Sequence, residues 1–284
     1  MTEMTLNGVL KLMACQVDIP PMTTAEERNK HLESLSFRVC EKLSKEKVDV
    51  VVLPELSSIE YSREAFASLA ELAEPTEGSS FHTWRAVAME YKTHVVYGFA
   101  RRDDSGNCYI SIGVVNPQGE LVGYYDKLHL AQYGASMEKE YFSRGNHLSV
   151  FEVNGFRLAP IICYDIRIPE LSRTLAVAYQ VDVILHCGAY YRDRSFHTWH
   201  DFALTRAIEN QCYLLSLNRA GKSYGNSLFC RPWHDETMEP ETFCEHGEDI
   251  RVVELSKAEL DDVRTTYSFL ADRLGAYELL RVND

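Results

Sequence analysis

The chain lacks a long basic run and is short of cations altogether: 29 Lys and Arg stand against 42 Asp and Glu, for a formal net charge of −13 over 284 residues. A phosphate backbone or an anionic membrane surface would be repelled, so no nucleic-acid or membrane partner is expected. No apolar stretch approaches membrane-spanning length. The N-terminal MTEMTLNGVLKL carries an acid and lacks a long apolar core, so a secretion leader is not expected there. CxxC pairs are also missing. Cys15, Cys40, Cys108, Cys163, Cys187, Cys212, Cys230 and Cys244 are dispersed, several inside apolar runs such as LMACQV and QCYLLSL. Without a leader, this pattern reads as reduced thiols of a cytoplasmic protein, not as a disulfide framework. Repeats, low-complexity tracts and flexible linkers are absent too, which leaves one domain over residues 1–284.

What is present is an alternation of strands and helices. Val9 to Val17 reads as a strand, and Thr24 with Glu27 has the spacing of a capping box. Leu32, Leu35, Val39 and Leu43 recur at helical spacing, predicting a helix over 25–46. Val48 to Leu53 is a buried strand. Arg63 to Ala73 and Phe81 to Tyr91 read as helices, and 93–100, 109–116 and 121–125 as strands. Asn154-Gly155 predicts a type I′ hairpin turn between strands at 148–153 and 156 onward. A helix to Tyr179, a strand at 181–186, a helix at 196–210 and a strand at 212–218 follow, then strands at 226–232 and 249–255 and a helix at 256–263. The expectation is an α/β domain with its strands in two sheets.

The chemistry centres on Leu158 to Leu171, LAPIICYDIRIPEL. Its apolar start reads as a strand buried on both faces, and Pro169 with Glu170 stands where a helix would begin. Cys163 thus sits on the bend after a strand, where side chains of open α/β sheets face a ligand crevice. Glu55 in VVVLPEL and Lys127 in GYYDKLHL stand at or just past the ends of two other predicted strands. A thiol, an ammonium and a carboxylate would make a coherent nucleophilic site. The cation would stabilise a thiolate and later an oxyanion, while the carboxylate moves the proton.

These segments resemble the nitrilase superfamily of carbon–nitrogen hydrolases. PELSSIEY (54–61), YYDKLHL (124–130) and IICYDIRIPEL (161–171) are similar to its glutamate, lysine and cysteine blocks, and ALTRAIENQCY (203–213) to a further helix block before Asn218. The resemblance implies catalytic Glu55, Lys127 and Cys163, with Glu138, seven residues before Gly145, as a second glutamate orienting the lysine and substrate. It implies an oxyanion site from Lys127 and the Tyr164 N–H, and substrate contacts from Tyr61, Tyr164, Arg167 and Tyr190. No metal or organic cofactor is implied. The implied fold is a four-layer αββα sandwich of two mixed sheets, extended to eight layers in a homodimer, with a tail over about 265–284 at the subunit interface. One departure stands out: Glu60 occupies a position where many members have glycine. If that glycine serves a positive φ, Glu60 brings strain or reroutes the loop.

The implied reaction is hydrolysis of a small carboxamide to an acid and ammonia through a cysteine thioester. Arg192 and Arg194, in the cluster Tyr190-Tyr191-Arg192-Asp193-Arg194, suggest a carboxylate at the substrate's far end, as in an ω-amide of a dicarboxylic acid. An N-carbamoyl amide hydrolase stays open as an alternative. Cys-Tyr-Asp, where nitrilases have Cys-Trp-Glu, weighs against a nitrile substrate. Two other classes are a metalloprotein on His197 and His200 with Cys187 or His186, and a hydrolase fold retired to binding. His-x-x-His alone is a weak metal signal, and an intact triad argues against retirement.

Overall fold

The computed structural model describes residues 8–282. The first seven residues, where the leader question begins, and the last two of the expected tail lie outside them. Two mixed sheets of six strands form the centre. The first contains β1 (Val9–Gln16), β2 (Val50–Val52), β3 (His94–Arg102), β4 (Cys108–Val115) and β5 (Leu121–Asp126). The second contains β6 (Phe151–Val153), β7 (Phe156–Ile162), β8 (Val183–Cys187), β9 (Tyr213–Leu217), β10 (Leu228–Cys230) and β11 (Glu241–Thr242). The last strand, β12 (Asp249–Ser256), returns to the first sheet and pairs antiparallel with β1 from Val9↔Ser256 to Gln16↔Asp249. At the heart of each sheet three strands run parallel, β1-β2-β3 in one and β7-β8-β9 in the other.

Side-chain alternation along β3 shows how the layers form. Val95, Tyr97 and Phe99 pack under the helices α1 (Ala25–Leu43) and α4 (Ser79–Tyr91), against Leu35, Val39 and Trp84. Val96 and Ala100 turn the other way, into a core shared with Ile161, Ile184 and Leu215 of the opposite sheet. Between α1 and α4 run two short helices, α2 (Arg63–Ala67) and α3 (Leu69–Leu72). The second sheet is covered by α5 (Pro169–Ala178) and α6 (Trp199–Asn210), which bury Leu171, Leu175, Ala203 and Ala207. Helix, sheet, sheet, helix is the four-layer αββα arrangement. A last helix, α7 (Lys257–Thr266), follows β12, capped by Ser256 accepting the Glu259 N–H.

The capping box on α1 is present, with Thr24 accepting the Glu27 N–H and Glu27 reaching back to Thr24. That helix ends at Leu43, short of residue 46, where the Lys45 and Glu46 N–H groups both close onto the Lys42 carbonyl. The helix expected over 63–73 is broken at Ser68, whose hydroxyl donates to its own helix at the Glu64 carbonyl. Asn154 (φ 51°) and Gly155 (φ 80°) form the expected turn of positive-φ residues between β6 and β7. All eight cysteines are free, and no helix among the described residues is long and apolar enough to cross a membrane.

Candidate active site

Three strand ends deliver the site. Glu55 follows β2 after Leu53 and Pro54, Lys127 is the first residue past β5, and Cys163 the first past β7. The loop carrying Glu55 crosses β3 so closely that a Cβ on Gly98 would lie 2.3 Å from the Pro54 carbonyl oxygen. Only glycine fits there. Ser57 secures the crossing, its hydroxyl donating to the Gly98 carbonyl at 2.9 Å and accepting the Gly98 N–H at 3.1 Å. The strain expected at Glu60 does not arise: the left-handed residue of this loop is Leu56 (φ 49°), and Glu60 does not have positive φ.

Lys127 is clamped between two carboxylates. Its Nζ donates to Glu55 Oε1 and to Glu138 Oε1, each at 2.7 Å, and all three side chains are fully buried. Glu138, on a short 3₁₀ turn (Glu138–Glu140), also accepts the Tyr61 hydroxyl at 2.7 Å and the Ala131 N–H at 2.8 Å. Tyr61 thus serves Glu138. Glu140 stands outside the cluster, paired with Arg63 at the surface.

Cys163 opens a 3₁₀ turn (Cys163–Arg167) that precedes α5, where the sequence reading had only a bend. It adopts φ 44°, a left-handed conformation that costs a non-glycine residue about 1–3 kcal/mol. Asp165 stabilises the turn by accepting the Ile162 N–H at 3.0 Å. The same carboxylate accepts the Tyr125 hydroxyl at 2.7 Å and both the N–H (3.0 Å) and imidazole Nδ1 (2.7 Å) of His129. Two motif segments are therefore joined through one buried side chain.

Burial pushes Glu55 up to about 7, against the pull of the Lys127 ammonium. Glu55 Oε2 has no full hydrogen bond, and the Cys163 thiol lies close enough to help hold the carboxylate charged. Burial disfavours the Lys127 ammonium, yet Glu138 and Glu55 outweigh it and keep that group protonated. For Cys163, burial and the Glu55 charge raise the thiol well above its usual value, outweighing Lys127 and the Ala189 N–H. The sequence reading set the cation against the thiol alone; with two carboxylates facing that one ammonium, the balance at the sulfur shifts towards the protonated form. Cys163 keeps 9% of its surface exposed while Glu55, Lys127 and Glu138 keep none.

The remaining expected contacts separate. Arg167 lies beside the site, donating to Thr198 Oγ1 and the Ser195 carbonyl, and its buried Nε has no partner. Tyr164 packs against Tyr133, ring centroids 5.5 Å apart. Tyr190 is buried, its hydroxyl donating to the Cys163 carbonyl at 2.8 Å. Arg192 is held elsewhere: it donates to the Tyr224 and Glu245 carbonyls at 2.9 and 2.7 Å and stacks on Phe196. Arg194 is exposed. Backbone carbonyls took the cation that the sequence suggested for substrate. Asn218 ties the 190 loop down, accepting the Tyr190 N–H and donating to its carbonyl.

The histidines raised as metal ligands are dispersed. His186 is buried against Cys163 and Ser216, His200 meets the Asn226 carbonyl at 2.7 Å, and His197 is exposed. No three His, Cys, Asp or Glu side chains group as a metal site among the described residues. The sequence reading missed His186 as a partner of the Cys163 carbonyl, and Ser216 as the residue bonded behind it. Their one signal was a polar residue set inside otherwise apolar buried strands, VILHC and YLLSL.

Residues 11–264 match the family model for carbon-nitrogen hydrolases. The chain is 33% identical over 191 residues to a 2-oxoglutaramate amidase of Bacillus subtilis, covering 65% of this chain and 71% of that protein. It is 34% identical over 183 residues to an omega-amidase of Escherichia coli, covering 64% and 66%. Among solved structures, Nit3 of Saccharomyces cerevisiae, a member of branch 10 of the nitrilase superfamily, superposes with a TM-score of 0.80 at 22% identity over 96% of this chain and 97% of that one. Strand ends that gather a glutamate, a lysine and a cysteine, in a sandwich of this topology and with a family match over residues 11–264, place this protein in the carbon–nitrogen hydrolase family.

Proposed function

We propose that this protein hydrolyses the ω-amide of a small dicarboxylic acid, releasing ammonia and the diacid through a thioester on Cys163. The observation that carries the reading is the Lys127 ammonium held at 2.7 Å from both Glu55 and Glu138, beside the thiol. In the first half-reaction the Cys163 proton passes to Glu55 as sulfur bonds to the amide carbon. Negative charge develops on the amide oxygen, facing Lys127 and the Tyr164 N–H. The C–N bond breaks as Glu55 returns its proton to the nitrogen, and ammonia leaves. Water then attacks the thioester while Glu55 takes its proton. The carbon–sulfur bond breaks and the thiol regains that proton. Every proton is carried by a side chain, so the cycle calls for no metal or organic cofactor.

For the substrate's free carboxylate, Arg167 replaces Arg192 as the candidate. It keeps an unpartnered buried N–H and acts electrostatically on Tyr133 and Tyr190, two residues that also feel the Cys163 charge. The relatives named for ω-amides support the same class. The test is a panel of dicarboxylic monoamides against neutral aliphatic amides and N-carbamoyl amines, with ammonia and carbon dioxide both measured. Monoamides should be preferred, with ammonia alone released, and Arg167→Met should raise their KM about 100-fold while leaving neutral amides unchanged. Equal turnover of neutral amides, or release of carbon dioxide, would overturn the reading.

We also infer a homodimer acting in the cytoplasm, with the segment from Tyr267 onward at the subunit interface. Phe269, Leu274, Tyr277, Leu279, Leu280 and Val282 are exposed along it, a run of apolar surface that a partner subunit would cover. Sedimentation of the full chain against a version ending at Thr266 tests the assembly.

A further inference from the structure

We propose that His186 and Tyr190 clamp the Cys163 carbonyl and so aim the adjoining Tyr164 N–H at the oxyanion, which makes both of them positioning residues for the hydrolysis. The inference rests on the amide-hydrolase reading and goes beyond it, to what orients one half of the oxyanion site.

Two donors converge on one oxygen. His186 Nε2 lies 3.0 Å and the Tyr190 hydroxyl 2.8 Å from the Cys163 carbonyl, and His186, Tyr190 and Cys163 are all buried. A carbonyl oxygen only accepts, so His186 Nε2 carries the proton and Nδ1 is bare. Nδ1, 2.7 Å from Ser216 Oγ, then accepts the serine proton. The serine oxygen in turn accepts the Trp199 indole N–H at 2.6 Å. The chain Trp199 to Ser216 to His186 to Cys163 has one consistent direction, with each donor pointing towards the nucleophile's carbonyl. Burial holds His186 near 4, so the ring stays neutral and the tautomer stays set across the working pH range. The Tyr190 ring is stacked on Trp199, with centroids 4.6 Å apart and planes 5° from parallel, so the second prong is also locked.

One donor would satisfy a buried carbonyl. Two occupy both lone pairs and stop the peptide plane from rotating. The Cys163 carbonyl and the Tyr164 N–H belong to the same planar trans peptide, so holding the oxygen on one side directs the N–H to the other. That N–H lies in the first turn of a 3₁₀ helix, where amides have no intrahelical partner. Drawing electron density onto the carbonyl also makes the attached N–H a stronger donor. The clamp further explains how Cys163 is kept at φ 44°.

The test separates oxyanion stabilisation from thiol reactivity. Alkylation by iodoacetamide is a displacement at an sp³ carbon, so it uses the Cys163 sulfur without needing the oxyanion site. Tyr190→Phe, which removes one oxygen atom, and His186→Leu are compared with wild type on whichever monoamide wild type turns over fastest. Each should lower kcat about 10-fold with KM within about twofold, less than the roughly 100- to 1000-fold expected from losing an oxyanion donor outright. Alkylation rates at Cys163 should stay within about twofold. An aldehyde analogue of the substrate, whose thiol adduct bears the oxyanion, should bind more weakly by the same factor as kcat/KM falls. His186→Gln, which restores an N–H donor, should recover most of the loss. Alkylation falling in step with hydrolysis, or hydrolysis unchanged in Tyr190→Phe, would overturn the proposal. The substrate reading fails on the monoamide panel, whereas the clamp fails on this comparison between variants.

Discussion

Asp165 and His129 are bonded twice, through the backbone N–H and through the imidazole of the histidine, and they stand two positions past Cys163 and Lys127 respectively. The same carboxylate also holds Tyr125 and the Ile162 N–H. Asp165→Asn turns half of that acceptor into a donor facing donors. The expected loss is about 3 kcal/mol of stability, as for breaking a buried charged network, with a lower kcat as Lys127 and Cys163 drift apart. Denaturant unfolding and steady-state kinetics on the same preparation check both.

The pH dependence follows from Glu55, raised by burial to about 7. A base acts only when ionised, so kcat/KM should fall about tenfold per pH unit below this value and level off above it. A resting thiol raised still higher adds no second limb near neutrality. For stability the sign is opposite to that of an ordinary ion-paired carboxylate. A raised folded-state value favours the fold below the model-peptide 4.5 and loses that contribution as pH rises through about 7. Glu55→Gln should therefore lose activity yet gain Tm relative to wild type as pH rises across that window. A flat rate profile from pH 5 to 8 would remove Glu55 as the base.

Gly145 borders the lysine segment. A Cβ there would stand 2.1 Å from the Asp126 carbonyl oxygen, next to Lys127, while the Gly145 N–H donates to the Lys127 carbonyl. Gly145→Ala must push the backbone of residues 126–127. Because misplacing a catalytic group by about 1 Å can cost roughly 100-fold in rate, kcat should fall by about that factor, with far-ultraviolet circular dichroism unchanged.

Thiol mapping distinguishes the cysteines. Cys15, Cys187, Cys212 and Cys230 are fully buried, whereas Cys163 keeps part of its surface exposed. Cys244 is exposed. A small alkylating amide should label Cys163 and Cys244 in the folded protein and leave those four unmodified. Prior incubation with substrate should protect Cys163 alone. Peptide mass spectrometry reads the result.

The convergence of Glu55, Lys127 and Cys163 was legible because each stands just past the end of a strand, where an apolar run gives way to polar residues. Glu138 was legible only through its family spacing, since nothing local distinguishes it from Glu140, which pairs with Arg63 at the surface. His186 was misplaced among metal ligands because its partners, Ser216 and Trp199, lie on other elements and only the packing of β8 and β9 under α6 brings them together. Arg192 was offered to substrate for its charge and its place in the 190–194 cluster, and two carbonyls remote in sequence hold it instead. The two-residue strand β11 carries too few residues for any period to register.

Glu55 and Lys127 come from one sheet and Cys163 from the other, so the proposed chemistry straddles the seam between the two halves of the sandwich. Any slip of one half over the other, by heat, pressure or a trimmed methyl group at Val96 or Ile161, parts base from nucleophile while every strand keeps its neighbours. Turnover should then fade before the secondary structure does, which makes catalytic rate the most sensitive gauge of how well the halves mate.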